Sequence, residues 1–181
     1  MKSLTPAQVA RQGRERRIVE TAREIAEADG WPAVTVRRLA DAIGYSQPVL
    51  YGHFPDGRDG ILRAVAMDGF VRLAERLADA GTSIAQVVER YLTFARQNPA
   101  TYDAMFSMPI DVPFGTSATP APLRASFTAI ERVVAGGSED RETEAELLWC
   151  ALHGVAELSR RGRLRPSHER ARVDLLVRRF G

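Results

Sequence analysis

An all-α fold is predicted for this chain of 181 residues. Apolar residues recur at helical spacing through most of it, and no segment shows the sustained alternation that is typical of strands. Residues that start and stop helices flank these segments, as Thr5 and Pro6 do before the first and Gly44 does after the second. The composition, with 45% hydrophobic and 27% charged residues, is ordinary for a well-packed protein. We expect about nine helices and no internal repeat.

The first three helices are expected to be followed by short turns. Their expected ranges are 6–28, 36–43 and 47–53. Each follows a hydroxyl residue whose side chain can accept a hydrogen bond from a first-turn N–H. These N-cap candidates are Thr5, Thr35 and Ser46. Asp29-Gly30 is expected to end the first helix, and Pro55-Asp56-Gly57 to form a turn after the third.

The rest of the chain is predicted to hold longer helices around one irregular segment. Residues 107–122 are expected to form a loop after a short helix at 100–106, because five of the ten prolines fall between Pro99 and Pro122. Gly136-Gly137 is expected to end one helix and Ser138 to cap the next. The other expected helices cover about 59–80, 84–97, 123–134, 139–161 and 168–180.

Composition excludes several classes of protein. No apolar run approaches the roughly 20 residues that span a bilayer, and residues 1–17 lack the apolar core of a secretory signal. The single cysteine, Cys150, excludes an internal disulfide and is expected to be an inert buried thiol in a reducing, cytoplasmic compartment. Three scattered histidines argue against a metal site, and no cofactor is expected. The net charge of +2 only weakly favours nucleic acid.

Residues 35–54 predict a helix-turn-helix. Gly44-Tyr45 joins two short helices, and the glycine allows the second to cross the first steeply. The second helix starts with short or polar side chains, as a helix does whose N-terminal end enters a DNA major groove. Leu50 and Phe54 are expected to anchor it to the core. The alternative is a plain pair of core helices, because this spacing is common in all-α proteins.

Individual side chains of the second helix suit contacts with DNA. Gln47 can bind adenine through two hydrogen bonds, and Pro48 and Val49 can contact thymine methyl groups. Tyr51 and His53 offer hydrogen bonds to phosphates. A purely structural surface has no need of this cluster.

A wider set of residues falls into a specific pattern over 16–62. It comprises Arg17-Ile18-Val19, Thr21-Ala22, Thr35, Leu39-Ala40, Gly44, Leu50-Tyr51, His53-Phe54 and Leu62. This pattern resembles the N-terminal DNA-binding domain of the TetR family of transcriptional regulators. The resemblance implies that Arg37 and Gln47 are base readers and that Pro48 and Val49 meet thymine methyls. The residues that the resemblance places near phosphates are Thr35, Arg38, Ser46, Tyr51 and His53.

Two positions depart from the family pattern. Arg58, also a DNA-binding candidate, stands where many members have a lysine, which keeps the charge but changes its geometry. Gly52 replaces a larger side chain, so one contact is missing and the operator can differ.

The C-terminal half carries a second pattern, formed by residues 97–106, Trp149, His153-Gly154 and residues 162–164. It resembles the TetR-like C-terminal domain named for its Trp-His-Gly motif. The resemblance implies a helical ligand-binding and dimerisation domain over 59–181, after a DNA-binding domain over 1–58. Ligand-binding candidates are Phe94, Met105, Phe106, Met108, Trp149 and His153. The alternative is that these are core residues, with the imidazole bonded to a backbone carbonyl.

Dimerisation is expected from the geometry of DNA reading, because two half-sites about one DNA turn (~34 Å) apart need a two-fold partner. The last two helices are the expected interface. Its candidate residues are Leu147, Leu148, Leu152, Val155, Leu158, Val173, Leu176, Val177 and Phe180. The alternative is that these residues pack only within the subunit.

The sequence therefore favours a dimeric regulator, most simply a repressor that a small molecule releases from a palindromic DNA operator. One alternative is a small helical enzyme, but the chain has no Gly-rich phosphate loop, no H-E-x-x-H and no G-x-S-x-G motif. The other is an interaction protein without DNA binding, for which salt-dependent DNA affinity is the test.

Overall fold

A computed structural model describes residues 5–134 and 140–181 of the chain. These residues form nine α-helices and two short 3-10 turns, Trp31–Ala33 and Pro166–His168, and no strand occurs among them. The predicted all-α fold is confirmed. The helices are α1 Pro6–Asp29, α2 Val36–Ile43, α3 Gln47–His53, α4 Arg58–Ala78, α5 Ile84–Gln97, α6 Pro99–Phe106, α7 Ala121–Glu131, α8 Arg141–Arg160 and α9 Glu169–Phe180.

Local signals place the ends of the first helices as predicted. The Thr5 hydroxyl accepts a hydrogen bond from Gln8 N–H, and the Gln8 side chain accepts one from Thr5 N–H, which completes a capping box. The Thr35 hydroxyl caps α2 by accepting from Arg38 N–H at 3.1 Å. Gly44 follows α2 at φ 71°, a left-handed conformation that favours glycine. Ser46 occupies the N-cap position of α3, but its hydroxyl makes no capping bond.

Two predicted ends in the C-terminal half differ from the structure. Helix α7 ends at Glu131 rather than near residue 134. Val133 and Val134 continued the apolar pattern because they are buried in the turn that follows, not because they are helical. Helix α8 begins at Arg141, with Asp140 in the N-cap position. The predicted stop at Gly136-Gly137 and the predicted cap at Ser138 lie outside the described residues.

The chain packs as two compact units whose sequence ranges interleave. The N-terminal unit contains the described residues up to Gly69 together with Pro99–Asp111, so helix α6 belongs to it. Its core holds Ile18 of α1, Leu39 of α2 and Leu50 of α3, which packs the helix-turn-helix onto the long first helix.

The C-terminal unit contains Phe70–Asn98 and the described part of Val112–Gly181. Its core is built from α5, α7 and α8, with Tyr91 and Leu148 among its fully buried side chains. Helix α9 packs on α5 and α8. Within the described ranges, no helix is both long and apolar enough to cross a membrane.

Candidate nucleic-acid interface

Helix α3 exposes most of its surface around one buried anchor. Leu50 is only 1% exposed, whereas the next residue, Tyr51, is 49% exposed. The leading residues Gln47, Pro48 and Val49 are also exposed. A helix held by one core residue with its first turn in solvent is free to enter a DNA groove. We call Gln47, Pro48, Val49 and Tyr51 the reading edge.

The DNA-binding candidates at the start of α2 differ in the contacts that they already make within the protein. Arg37 is exposed and has no hydrogen bond or ion pair with any described residue, so its guanidinium is available to a ligand. Arg38 forms an ion pair with Asp29 at the end of α1, and both side chains are nearly half exposed. Thr35 is exposed, but its hydroxyl already caps α2. Arg37 is therefore the freest basic group beside the turn.

The ring of Tyr51 lies against the turn that precedes α4. Gly57 in this turn has φ 56°, and a Cβ added there would lie 3.1 Å from Tyr51 Cε1. The glycine thus permits both the left-handed turn and the close approach of the ring. This contact supports Tyr51 from behind while half of its surface stays exposed.

The structure corrects the prediction that His53 contacts a phosphate. Its side chain is only 7% exposed and lies between two residues of α1. Arg14 Nε donates to His53 Nε2 at 3.2 Å, and Glu15 Oε1 lies 3.1 Å from His53 Nδ1. The imidazole joins α3 to α1 and is not available to a phosphate, because both of its nitrogens already have partners.

The structure gives Arg58 two partners within the protein that were not predicted. Its Nε donates to the Val34 carbonyl at 3.1 Å, and its Nη2 donates to the Trp31 carbonyl at 3.0 Å. The guanidinium is half-buried and joins the start of α4 to the segment before α2. An arginine provides two donors in a fixed fork, which suits two carbonyls better than a lysine would.

A further polar cluster in the N-terminal unit was missed by sequence reasoning. The Glu27 carboxylate accepts hydrogen bonds from Ala100 N–H, Thr101 N–H and the Thr101 hydroxyl, at 3.0, 2.9 and 2.7 Å. Trp31 Nε1 donates to the Ala100 carbonyl at 2.8 Å. An acid at a helix N-terminus is stabilised by the unpaired N–H groups there, so Glu27 fastens the start of α6 to α1. Residues about 73 positions apart give no local signal of such a contact.

The predicted ligand-binding residues do not fall in one packing unit. Phe94, Trp149 and His153 belong to the C-terminal unit, whereas the other three, Met105, Phe106 and Met108, belong to the N-terminal unit. Phe94 and Met105 are buried core residues. Met105 and its neighbour Thr101 are so close to Gly69 on α4 that a Cβ there would lie 2.7 Å from the Met105 sulfur. Neither unit alone holds the predicted set.

Trp149 stands in an aromatic cluster of the C-terminal unit. Its indole Nε1 donates to the hydroxyl of the buried Tyr91 at 3.2 Å, and its ring meets Phe127 edge-on at a centroid distance of 6.2 Å. One turn further along α8, burial lowers the pKa of His153 below its ordinary value of 6.5, and the charge of Glu157 opposes that shift. Glu157 itself pairs with Arg160 and Arg161.

Helix α8 presents two different apolar faces. Leu148 and Leu152 are fully buried within the unit, so as interface residues they were misplaced by the sequence analysis. The other face carries Leu147, 56% exposed, and Leu158, 44% exposed. Between them lie Cys150, Ala151 and Gly154, and a Cβ added to Gly154 would meet nothing within 4 Å. Cys150 is exposed, which corrects the expected buried thiol, because it points to this face and not to the core. We call these five residues the α8 face.

The interface candidates of α9 are half-buried rather than free. A groove of about 710 Å³ runs between α5 and α9, and Val173 and Val177 line it together with Leu92. The remaining candidates, Val155 on α8 and Leu176 and Phe180 on α9, are half-buried as well. Leu175 is an exposed leucine on α9 that the sequence analysis did not single out.

No group of three or more His, Cys, Asp or Glu side chains that could hold a metal ion occurs among residues 5–134 and 140–181. Nothing in the described part of the chain therefore points to a metal centre.

Comparison with protein families matches both halves of the chain. Residues 18–65 match the family described as bacterial regulatory proteins, tetR family. Residues 84–180, more than half of the chain, match the family described as tetracyclin repressor-like, C-terminal domain. The first match contains α2, the turn and α3, which carry the reading edge.

Individual proteins give the same result. An uncharacterized HTH-type transcriptional regulator of Mycobacterium tuberculosis is 29% identical over 169 residues, which cover 87% of this chain and 73% of that protein. A structure of a protein with unknown function from Rhodococcus sp. RHA1 aligns with a TM-score of 0.73 at 25% identity and covers 92% of this chain and 94% of its own. A bacterial regulatory protein in the tetR family from Rhodococcus RHA1 shares the fold, with a TM-score of 0.61 at 20% identity over 92% of this chain and 96% of its own. With its helix-turn-helix and both family matches, the chain belongs to the TetR family of DNA-binding transcriptional regulators.

Proposed function

We propose that the chain is a homodimeric repressor that reads a palindromic operator with α3 and is released from it by a small molecule. The observation that carries the proposal is the exposure of the reading edge around the buried Leu50. DNA binding is assigned to residues 1–58, and effector binding and dimerisation to 59–181, in the cytoplasm. The label of repressor is also that of a relative in Corynebacterium diphtheriae, an HTH-type transcriptional repressor 34% identical over 68 residues.

Each residue of the reading edge has a role suited to its chemistry. Gln47 reads adenine through its amide, and Pro48 and Val49 contact thymine methyl groups. Arg37 is the second base reader, since its guanidinium is unpaired within the described residues. The groups that position the protein on phosphates are Thr35, Arg38, Ser46 and Tyr51.

Dimerisation is assigned to the α8 face, with support from α9. Exposed leucines at helical spacing leave apolar surface in solvent, and a second copy would cover it. A symmetric pair would bring the same face of both chains together, because a two-fold interface is self-complementary. Val155, Val173, Leu176, Val177 and Phe180, all half-buried, would border it.

The effector is assigned to the C-terminal unit, near Trp149 and His153. The Trp149 indole meets the apolar Phe127, and the His153 imidazole lies one turn further along α8. Small-molecule sites use such apolar walls with few polar groups. The effector can lower DNA affinity only by binding more tightly to the arrangement that does not fit the operator. Trp149→Ala is expected to alter release by an effector found in a thermal-shift screen; unchanged release with a lowered melting temperature would leave Trp149 a core residue.

The reading edge is tested with duplexes selected from a random pool by the wild-type protein. Gln47→Ala is expected to weaken binding of the selected duplex about 10-fold or more, because one bidentate base contact contributes about 1–3 kcal/mol. Gln86→Ala removes the same exposed side chain from α5 and is the matched control. Equal binding by both variants would contradict the proposal. Melting temperatures within a degree or so of wild type would show that the fold is intact.

A further inference from the structure

Helix α1 extends well before the part of the chain that matches the family. The match begins at residue 18, whereas α1 begins at Pro6, so Pro6–Arg17 forms about three additional turns. We call this range the α1 extension. It continues without a break into the part of α1 that matches the family, and its last turns lie beside the C-terminal end of α3.

Three residues of the α1 extension contact the last two residues of α3. Arg11 Nη2 donates to the Gly52 carbonyl at 3.2 Å, and Arg14 Nε donates to His53 Nε2 at 3.2 Å. Glu15 Oε1 lies 3.1 Å from His53 Nδ1 and 2.9 Å from Arg11 Nε. Helix α1 therefore holds the last turn of α3 at two points, the backbone carbonyl of Gly52 and the side chain of His53.

These partners fix the hydrogen bonding of the imidazole. An arginine Nε–H can only donate, so His53 Nε2 must accept and its proton must be on Nδ1. Nδ1–H then donates to the Glu15 carboxylate. Arg14 and Glu15 thus hold the His53 imidazole from two sides. Arg11 binds one of the terminal carbonyls that lack a partner inside a helix.

Helix α3 needs such support because its own packing is sparse. It has seven residues, and Leu50 is its one buried apolar side chain. Six residues separate Gln47 from His53, which is about 9 Å along a helix. A tilt of about 10° at the His53 end would move Gln47 by about 1.5 Å, more than the tolerance of a good hydrogen bond.

We propose that Arg14 and Glu15 are positioning residues that act through His53, so that the α1 extension sets how well α3 discriminates between DNA sequences. This rests on the proposed use of α3 as the reader. The competing role for the arginines of the extension is general attraction of phosphates, which lacks sequence preference.

The test compares Arg14→Ala with Arg16→Ala, since each removes one positive charge from the same helix. Arg16 is exposed and has no bond to a described residue. Affinities are measured for the selected duplex and for a random duplex of equal length. Arg14→Ala is expected to lower the ratio of the two affinities about 10-fold, because a tilted α3 would lose the contact of Gln47 with its base. Arg16→Ala is expected to leave the ratio unchanged. Equal ratios for the two variants, or equal losses on both duplexes for Arg14→Ala, would overturn the proposal.

Two further measurements separate positioning from a loss of folding. Glu15→Gln keeps an oxygen that accepts from Nδ1–H and should retain most of the ratio, whereas Glu15→Ala should lose it. In a His53→Ala background, Arg14→Ala should have no additional effect, because its contact is already gone. Additive losses, or a Glu15→Gln variant as poor as Glu15→Ala, would contradict a role through His53. If the wild type selects no duplex, the proposed reader itself fails, which is a different result.

Discussion

The two packing units hold their helices in different ways. In the N-terminal unit, charged side chains join helices that are distant in sequence: Glu27 fastens α6, Arg58 binds two carbonyls before α2, and His53 joins α3 to α1. The described part of the C-terminal unit also has arginine contacts between helices, but a pair such as Arg96–Glu169 is mostly exposed. Its Trp149–Tyr91 bond lies in a largely apolar core, and the α8 face remains in solvent. The polar bonds of the N-terminal unit fix the positions of its helices, whereas the C-terminal unit leaves an apolar face exposed.

This difference fits the two tasks that we propose for the units. Reading bases requires side chains to be placed within a fraction of an ångström, and directional hydrogen bonds provide that placement. Binding a second copy requires apolar area and shape, and non-directional burial provides the free energy. Variants that remove a directional bond and variants that change an apolar face should therefore have different consequences.

The largest effect is expected when the α8 face is charged. Leu147→Glu with Leu158→Glu would place four carboxylates in a symmetric pair where leucines would otherwise be buried. Each buried leucine contributes about 1.5–3 kcal/mol, so the dissociation constant of the dimer should rise at least about 100-fold. Analytical ultracentrifugation measures it. Val71→Glu changes an exposed valine on α4 and should leave assembly unchanged. A double variant that still sediments as a dimer would rule out this face.

The next largest effect is expected when the Glu27 carboxylate that holds the start of α6 is removed. Glu27→Ala takes away the acceptor of three hydrogen bonds from the first turn of α6. We expect the free energy of unfolding to fall by about 2–3 kcal/mol, because these bonds are charge-assisted and half-buried. Urea denaturation measures the change. Glu24→Ala, an exposed glutamate on the same helix, should cost far less. Equal losses would mean that Glu27 does not fasten α6.

The sequence predicted the N-terminal unit better than the C-terminal one, for a physical reason. The Thr5 and Thr35 caps, the Gly44 turn and the exposed start of α3 are local features, and the structure has them as expected. Of the predicted caps within the described residues, Ser46 alone makes no capping bond. The partners of His53 and Arg58 were not predicted, because they lie 24 to 39 positions away in the sequence. On α8, periodicity showed an apolar helix, but it did not show which side faces the core. Leu148 and Leu147 are neighbours in sequence with opposite burial.

A pH-dependent contribution to stability is expected from His153. Burial lowers its pKa in the folded state below the ordinary 6.5, so as the pH falls below about 6.5 the unfolded chain binds a proton more readily than the folded one. The free energy of unfolding should therefore decrease with falling pH, by at most about 1.4 kcal/mol per pH unit, until the folded histidine is protonated as well. His153→Gln should flatten this slope, whereas His168→Gln, an exposed histidine, should not. Identical slopes would remove His153 as the cause.

The smallest effect is expected from alanine at two helical glycines that have open surroundings, one on α1 and one on α8. A Cβ added to Gly13 on α1 or Gly154 on α8 would meet nothing within 4 Å, so alanine at either position should stabilise its helix by about 0.5–1 kcal/mol. Gly13→Ala should leave dimerisation unchanged. Gly154→Ala should weaken the dimer several-fold, because the partner's helix would pack against that position. The free energy of unfolding and sedimentation measure the two properties separately. A Gly154→Ala dimer as tight as wild type would place the two-fold contact elsewhere.

The central claim is that the reading edge of α3 contacts bases twice in each dimer. Sequencing duplexes that the protein retains from a random pool tests it most directly. We expect an inverted repeat whose half-sites lie about 10 base pairs, or a multiple of that, apart. The base preference at one position in each half-site should disappear with Gln47→Ala. A single unrepeated motif, or the same preferences in wild type and Gln47→Ala, would contradict it.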